Sequence, residues 1–427
     1  MGTRAFLHNK ILDLTARARR LVRVNYASVG IRPQDLPYAP SPDHFRAANQ
    51  RLAKIDRQIQ RRLQHLQGTW NESPVERVLI DIALVEREID RARRSFGLFF
   101  EIFSQRGSSF AAALAAHDLI AIDCYRAVRE SSPGLFRAPM LKPLCYMEHG
   151  FSPATMRRGV LLTRLLGEPN PFPIIRIPWD RDNPWQPVFI HEVAHNLQAD
   201  LGIWQENRQA VIRRILGTSG DPSITRIYGR WHKEVFADLA AILLAGPAAA
   251  WGMALFLAHP APRTLTYRPG GAHPTAYLRI LILAEMLRRM GFGQEGDRLR
   301  SVWQQLYNPN RFHRLPARLL TTSELLIPHL VDEIAYQTRR NLAQQALADI
   351  IPFSEDDEKA IQAGARQLVH GEVPPDLPPR FLVSAASYAL ATGQIPARQL
   401  SNRVINHLTS PIPPSSPSFK EIQAALL

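Results

Sequence analysis

The chain has 427 residues, 45% of them hydrophobic and 21% charged, with a formal net charge of +14. This balance excludes a disordered chain, and the length suffices for two or three ordinary domains or for one core domain with large helical additions. Two cysteines, Cys124 and Cys145, exclude a disulfide framework and are compatible with a reducing compartment.

Only six of the 52 basic residues are lysines, so the positive excess is almost all arginine. The first hundred residues carry 18 basic and 10 acidic side chains, which concentrates the excess at the N-terminal end. A basic surface attracts nucleic acid, anionic membrane or acidic proteins without choosing among them. No zinc finger or aromatic ribonucleoprotein motif marks a specific reader of nucleic acid. The expectation is a solvated basic face, with an acidic partner for the N-terminal helices as the functional alternative. The start, MGTRAFLHNK, has no apolar run of signal-peptide length, and Phe6 stands where a myristoylation signal wants Ser or Thr. A cytoplasmic protein is expected.

Residues 1–135 read as helical. Phe45, Leu52, Ile55, Ile59 and Leu66 form the stripe of one amphipathic helix, and Val78, Ile82, Val85 and Ile89 that of a second, running from Pro74 towards FGLFFEIF. The stretch SSFAAALAAHDLIAIDCYRAVRE makes a third, with Ser108 or Ser109 as its cap. At 167–187 the texture changes to GEPNPFPIIRIPWDRDNPWQP, where prolines bracket a short β-branched run at 173–179. Prolines cannot donate ladder hydrogen bonds, so this run is expected at a sheet edge.

Helical signals resume from Pro187, a good first-turn residue, to Gly202, a good C-cap. Further helices are expected at about 230–245, from Pro274 onwards, and near 294–307, 319–350, 355–369, 379–392 and 396–408. The proline-rich EVPPDLPPR and SPIPPSSPS read as connections, and no internal repeat is present. Residues 239–258 carry no charge over a length that could cross a bilayer, but Gly246-Pro247 breaks the run. Two buried helices joined at that break are expected, with a membrane span as the alternative.

The stretch FIHEVAHNLQADLG contains His191-Glu192-Val193-Ala194-His195. Histidines four apart on a helix lie about 40° apart around its axis, so both imidazoles can reach one ion. A catalytic zinc site takes three protein ligands, leaves a position for water, and keeps a carboxylate near that water. His191 and His195 supply two ligands and Glu192 the base, so a third ligand is required. Gln198 and Leu201 occupy positions where a metzincin has Gly and His, which excludes that class. Downstream, EVFAD supplies Glu234, with Asp238 one turn on, where a carboxylate can accept the free N–H of a ligand histidine. Ala237 and Ala241 leave little bulk between the two helices.

HExxH followed by Glu-x-x-Ala-Asp resembles the gluzincin metallopeptidases, the thermolysin-like clan and the CAAX-processing type, over about residues 173–245. The resemblance implies zinc held by His191, His195 and Glu234, with Glu192 as general base and Asp238 as partner of His191. It also implies that the strand before the active-site helix, here PIIRIPW with Ile175, Arg176 and Ile177, pairs with an extended peptide substrate. Among Tyr228, His232, Tyr267 and His273, the candidate oxyanion donor is His273, in the glycine-rich GGAHP ahead of a helix. His232 sits about 160° around the helix from Glu234. Cys145 with His149, and Asp180 with Asp182, read as structural.

The fold expected is mostly α, with α+β character at the active site. An N-terminal helical region (1–135), a zincin-like core with a small sheet (136–310) and a C-terminal helical region (311–427) follow one another. The function expected is a zinc metallopeptidase acting on a peptide or protein. The alternatives are a catalytically silent zincin-fold protein that binds or regulates a partner, and a membrane-embedded protease resting on 239–258.

Overall fold

The computed structural model describes residues 2–136, 141–148, 150, 154–156, 170–181, 183–184, 186–311 and 314–410. The first four helices are α1 (Thr3–Ala18), α2 (Pro42–Thr69), α3 (Val75–Ser104) and α4 (Ala111–Ser131). Most of the periodic residues read from the sequence form a core shared by α1, α2 and α3, while Phe45 and Leu52 pack in a neighbouring cluster with Phe99, Phe103 and the sheet. Ile55, Ile59 and Leu66 of α2 are buried against Val78, Ile82, Val85 and Ile89 of α3 and against Leu7, Ile11 and Leu14 of α1. Neither serine caps α4. Its N-cap is Phe110, and the Ser108 hydroxyl instead accepts the Phe110 N–H at 3.2 Å within the preceding turn.

Three strands follow: β1 (Leu144–Glu148), β2 (Ala154–Met156) and β3 (Ile174–Pro178). They form one sheet in the order β1-β3-β2, with β1 parallel and β2 antiparallel to β3. The 173–179 run is therefore the central strand and not an edge. Its prolines escape the ladder at its ends: the Pro173 carbonyl accepts the Leu144 N–H at 3.0 Å, and Pro178 is the last residue in register with β1. Ile174, Ile175 and Ile177 are buried, as expected of a strand covered by neighbours on both sides. The two outer positions belong to β1 and β2, and β2 packs against the next helix.

That helix, α5 (Val188–Asp200), carries HExxH and is followed by α6 (Trp204–Ser219) and α7 (Pro222–Ala245). α7 begins eight residues before the expected 230, because Asp221 caps it: its carboxylate accepts the Ser223 N–H at 2.8 Å and the Ile224 N–H at 3.3 Å, with Pro222 at the first turn. At Gly246, with φ +70°, the chain turns into α8 (Pro247–Leu257). The apolar 239–258 stretch is thus two helices, buried through Ala250 and partly exposed beyond it, where Leu255 faces solvent. No described helix is long and apolar enough to cross a membrane.

The longer helices that follow among the described residues are α9 (Ala276–Arg289), α10 (Gly293–Leu306), α11 (Ala317–Val331), α12 (Glu355–His370), α13 (Pro379–Ala391) and α14 (Ala397–Thr409), with single helical turns at Ala261–Thr264 and Leu347–Ile350. The continuous pattern expected over 319–350 breaks after Val331. Arg339, buried, is held by Asn207 Oδ1 at 2.7 Å and Glu333 Oε1 at 3.0 Å, and the backbone reverses through Ala343 and Gln344 at φ +54° and +64°. Tertiary side-chain contacts override the local apolar spacing here. One apolar cluster runs from α4 through α5, α7, α8, α9 and α11.

The break at Gly246 is testable. Its left-handed backbone disfavours any side chain, and a Cβ there would collide with the Phe353 ring. Gly246→Ala is expected to destabilise the protein by at least about 1–3 kcal/mol, the usual scale of overpacking, read as a lower urea midpoint. An unchanged midpoint would remove the Phe353 contact as a constraint on the break.

Candidate metal centre

α5 and α7 lie against each other along their length. Ala237 and Ala241 on α7 are buried and small, so the helices approach closely. His191 and His195, separated by one turn, place their rings edge to face with centroids 4.6 Å apart. Glu234 comes from α7 to meet both. Its Oε2 lies 3.3 Å from His195 Nε2 and 3.6 Å from His191 Nε2. One ligand atom from each of these three residues falls within 4.8 Å of the others, and all three residues are buried.

One turn along α7, Asp238 Oδ1 lies 2.9 Å from His191 Nδ1. This fixes the ring so that Nε2 faces Glu234, the orientation a ligand histidine needs. Asp238 is also gripped by Arg279 of α9, which donates from Nε at 2.5 Å and from a terminal nitrogen at 2.7 Å. The same guanidinium nitrogen lies 3.2 Å from His191 Nε2. Arg279 was not singled out from the sequence. Its signal is visible in AYLRILILA, where one charge interrupts an apolar helical run; such a residue is buried only when paired.

The electrostatics follow from burial and pairing. Burial pulls the His191 imidazolium down, but the Asp238 carboxylate and hydrogen bonds to Asp238 and Glu234 outweigh it and raise His191 to about 9. Burial raises the Glu234 carboxyl, yet the hydrogen bonds with His191 and His195 hold it well below the usual carboxylate range. Asp238 is likewise lowered, because Arg279 and His191 overcome its burial. Glu192, Glu234 and Asp238 against Arg279 and Lys233, whose amine lies 3.8 Å from Glu234, leave a net negative centre, which accommodates either a proton on His191 or a bound cation.

Two members of the group reach solvent. Glu192 is half-buried beside His191, and His273 keeps 67% of its side chain exposed while its Nε2 lies 3.3 Å from Glu234 Oε2. Desolvation of the ring nitrogen that faces the cleft, and behind it the Arg279 and Lys233 charges, lower the His273 imidazole against the pull of Glu234, which favours the neutral ring. The alternatives to it are engaged elsewhere: Tyr228 is buried with its hydroxyl 3.1 Å from Ser323, His232 is tied to the Gly229 carbonyl at 2.9 Å, and the Tyr267 hydroxyl accepts from Arg230 at 3.4 Å. Ile175 and Ile177 are core residues of the central strand, and Arg176 pairs with Glu148 at 3.3 Å. Their backbone faces β1 on one side and, through Arg176, β2 on the other, so the free edge expected at this strand is taken. Cys145 is a buried free thiol and Asp180 is exposed, whereas His149 and Asp182 lie outside the described residues.

The donor set fits a divalent cation: two imidazole nitrogens and a carboxylate oxygen converge, with one histidine already oriented from behind. A proton held on His191 up to about 9 competes with that cation. Below this value the affinity is therefore expected to climb by about tenfold per pH unit, because each binding event displaces a proton. Competition with a chelator across roughly pH 6.5 to 8.5 measures it, and a pH-independent affinity would contradict His191 as a ligand. No protein-family model, curated protein or solved structure matches this chain, so its function rests on this geometry.

Proposed function

We propose that the chain is a zinc-dependent metallopeptidase with a gluzincin-type, zincin-like core. The observation that carries this reading is the meeting of His191 and His195 on α5 with Glu234 on α7, while Glu192 and His273 stand at the solvent side of the same group. A structural metal site would be closed by a fourth protein ligand and would have no use for a carboxylate beside the histidine pair. Zinc is the metal most consistent with two imidazoles and a carboxylate, and it would supply a Lewis acid that polarises a carbonyl and lowers the pKa of water.

In this reading Glu192 takes a proton from the attacking water. The water oxygen bonds to the scissile carbonyl carbon, the carbon–nitrogen bond breaks, and Glu192 returns the proton to the leaving amine. His273, neutral and exposed beside Glu234, donates a hydrogen bond to the oxyanion of the tetrahedral intermediate. Asp238, anchored by Arg279, keeps His191 oriented throughout. The substrate backbone adds to the outer side of β2 rather than to β3. Two features support this: β2 is one of the two outer strands of the sheet, β1 being the other, and of the two it is β2 that packs directly on α5.

The decisive variant is Glu192→Gln, which keeps shape and leaves His191, His195 and Glu234 intact but cannot accept the proton. Metal content and melting temperature are expected to stay near wild type while peptide hydrolysis, assayed on a broad peptide library, falls by about two to four orders of magnitude. A wild type that holds metal yet cleaves no more than Glu192→Gln would instead favour a catalytically silent protein that binds its partner.

A further inference from the structure

A cavity of about 490 Å³, separate from the metal centre, lies where the 37–44 segment, one face of α4, the start of β1 and the C-terminal helices meet. This volume is within the range of small-molecule sites, and the walls have their composition: Pro37, Pro40, Leu119, Ile122, Leu377 and Pro379 are apolar, with a few polar groups among them. The polar groups are asymmetric in charge. Arg126 and Lys142 are the permanent cations of the lining, and Asp118 is its carboxylate.

Asp118 is already committed. Its oxygens take the buried Arg106 guanidinium at 2.7 and 3.2 Å, and Oδ1 also accepts the Cys145 N–H at 2.7 Å. Arg126 reaches Asp123 at 3.7 Å, a distance beyond hydrogen bonding, and shares that carboxylate with Arg380, which holds it at 3.0 Å. Lys142 adds a second positive charge to the same lining, and burial first, then the Arg126 charge, brings its amine below the ordinary lysine value. The histidines add no charge. His44 is buried between the Ser41 hydroxyl and the Lys142 carbonyl and is held at about 4, and burial likewise lowers His407.

We propose that this cavity binds a small amphipathic acid, with one anionic head group on Arg126 and Lys142 and a hydrocarbon body against Leu119, Ile122 and Leu377. Apolar walls alone would accept a neutral hydrocarbon equally well; the two cations select the anion. A carboxylate and a phosphate head share this chemistry, so both enter the test.

Isothermal titration calorimetry of the full chain with octanoate, octyl phosphate and octanol separates the outcomes. At least one of the two acids is expected to bind saturably, and at least tenfold more tightly than octanol; the tighter acid identifies the head group. Arg126→Gln and Lys142→Gln should each weaken that acid about tenfold or more and leave octanol unchanged. Because either variant could also perturb folding, Leu119→Trp, which pushes an indole into the apolar part of the cavity and leaves both cations, should weaken binding of the acid at least about tenfold with little change in melting temperature. Equal binding of octanol and the acids, acid binding unaffected by Arg126→Gln and Lys142→Gln, or no saturable binding of either acid would overturn the proposal.

Discussion

The arrangement on which the rest depends is a carboxylate wedged between two imidazoles at the face where α5 meets α7. Burying Glu234 without partners would cost several kcal/mol, so the contact is tenable only with His191 and His195 opposite it. The same requirement propagates outward. His191 needs an acceptor behind its ring, which Asp238 provides; Asp238 needs a cation, which Arg279 brings from α9. Three helices are locked together by one chain of charges. The apolar cluster around them keeps that chain out of water, where each link is stronger than it would be at the surface.

Much of this chain of charges is written locally in the sequence, because helical spacing converts directly into shared faces. His191 and His195 four apart, and Glu234 and Asp238 four apart, each define one side of a helix whatever the surrounding fold. Ala237 and Ala241 signal that the partner helix comes close. Arg279 is different: its role depends on α9 crossing the end of α7, and no local pattern encodes which helix a lone arginine will meet. The oxyanion candidate His273 lies in between. Its place in a glycine-rich turn before a helix was readable, but its 3.3 Å approach to Glu234 depends on how α9 is docked.

The sheet shows the opposite balance. PIIRIPW was legible as a strand, yet its position was inverted, because flanking prolines are as compatible with the ends of a central strand as with an edge. The two strands beside it are short, and β2 has only three residues, too few for a period to show. Likewise α6 escaped notice although Gly220, Asp221 and Pro222 mark the end of one helix and the start of the next. Over 319–350 the apolar spacing was regular, but Arg339 is drawn inward to Asn207 and Glu333, and the chain doubles back. Long apolar runs fared better: the interruption at Gly246-Pro247 correctly separated two packed helices, since a left-handed glycine followed by proline ends one helix and starts another regardless of context.

Every role proposed for Glu192, His273 and Asp238 requires a metal ion held between α5 and α7. Crystals of the protein purified without chelator, measured on either side of the zinc absorption edge, address this directly. One anomalous peak per chain is expected, in contact with Nε2 of His191, Nε2 of His195 and the Glu234 carboxylate, with His191 Nδ1 still on Asp238. A map without such a peak after zinc soaking, with Glu234 still hydrogen-bonded to His195 and against His191, would contradict a metal centre here.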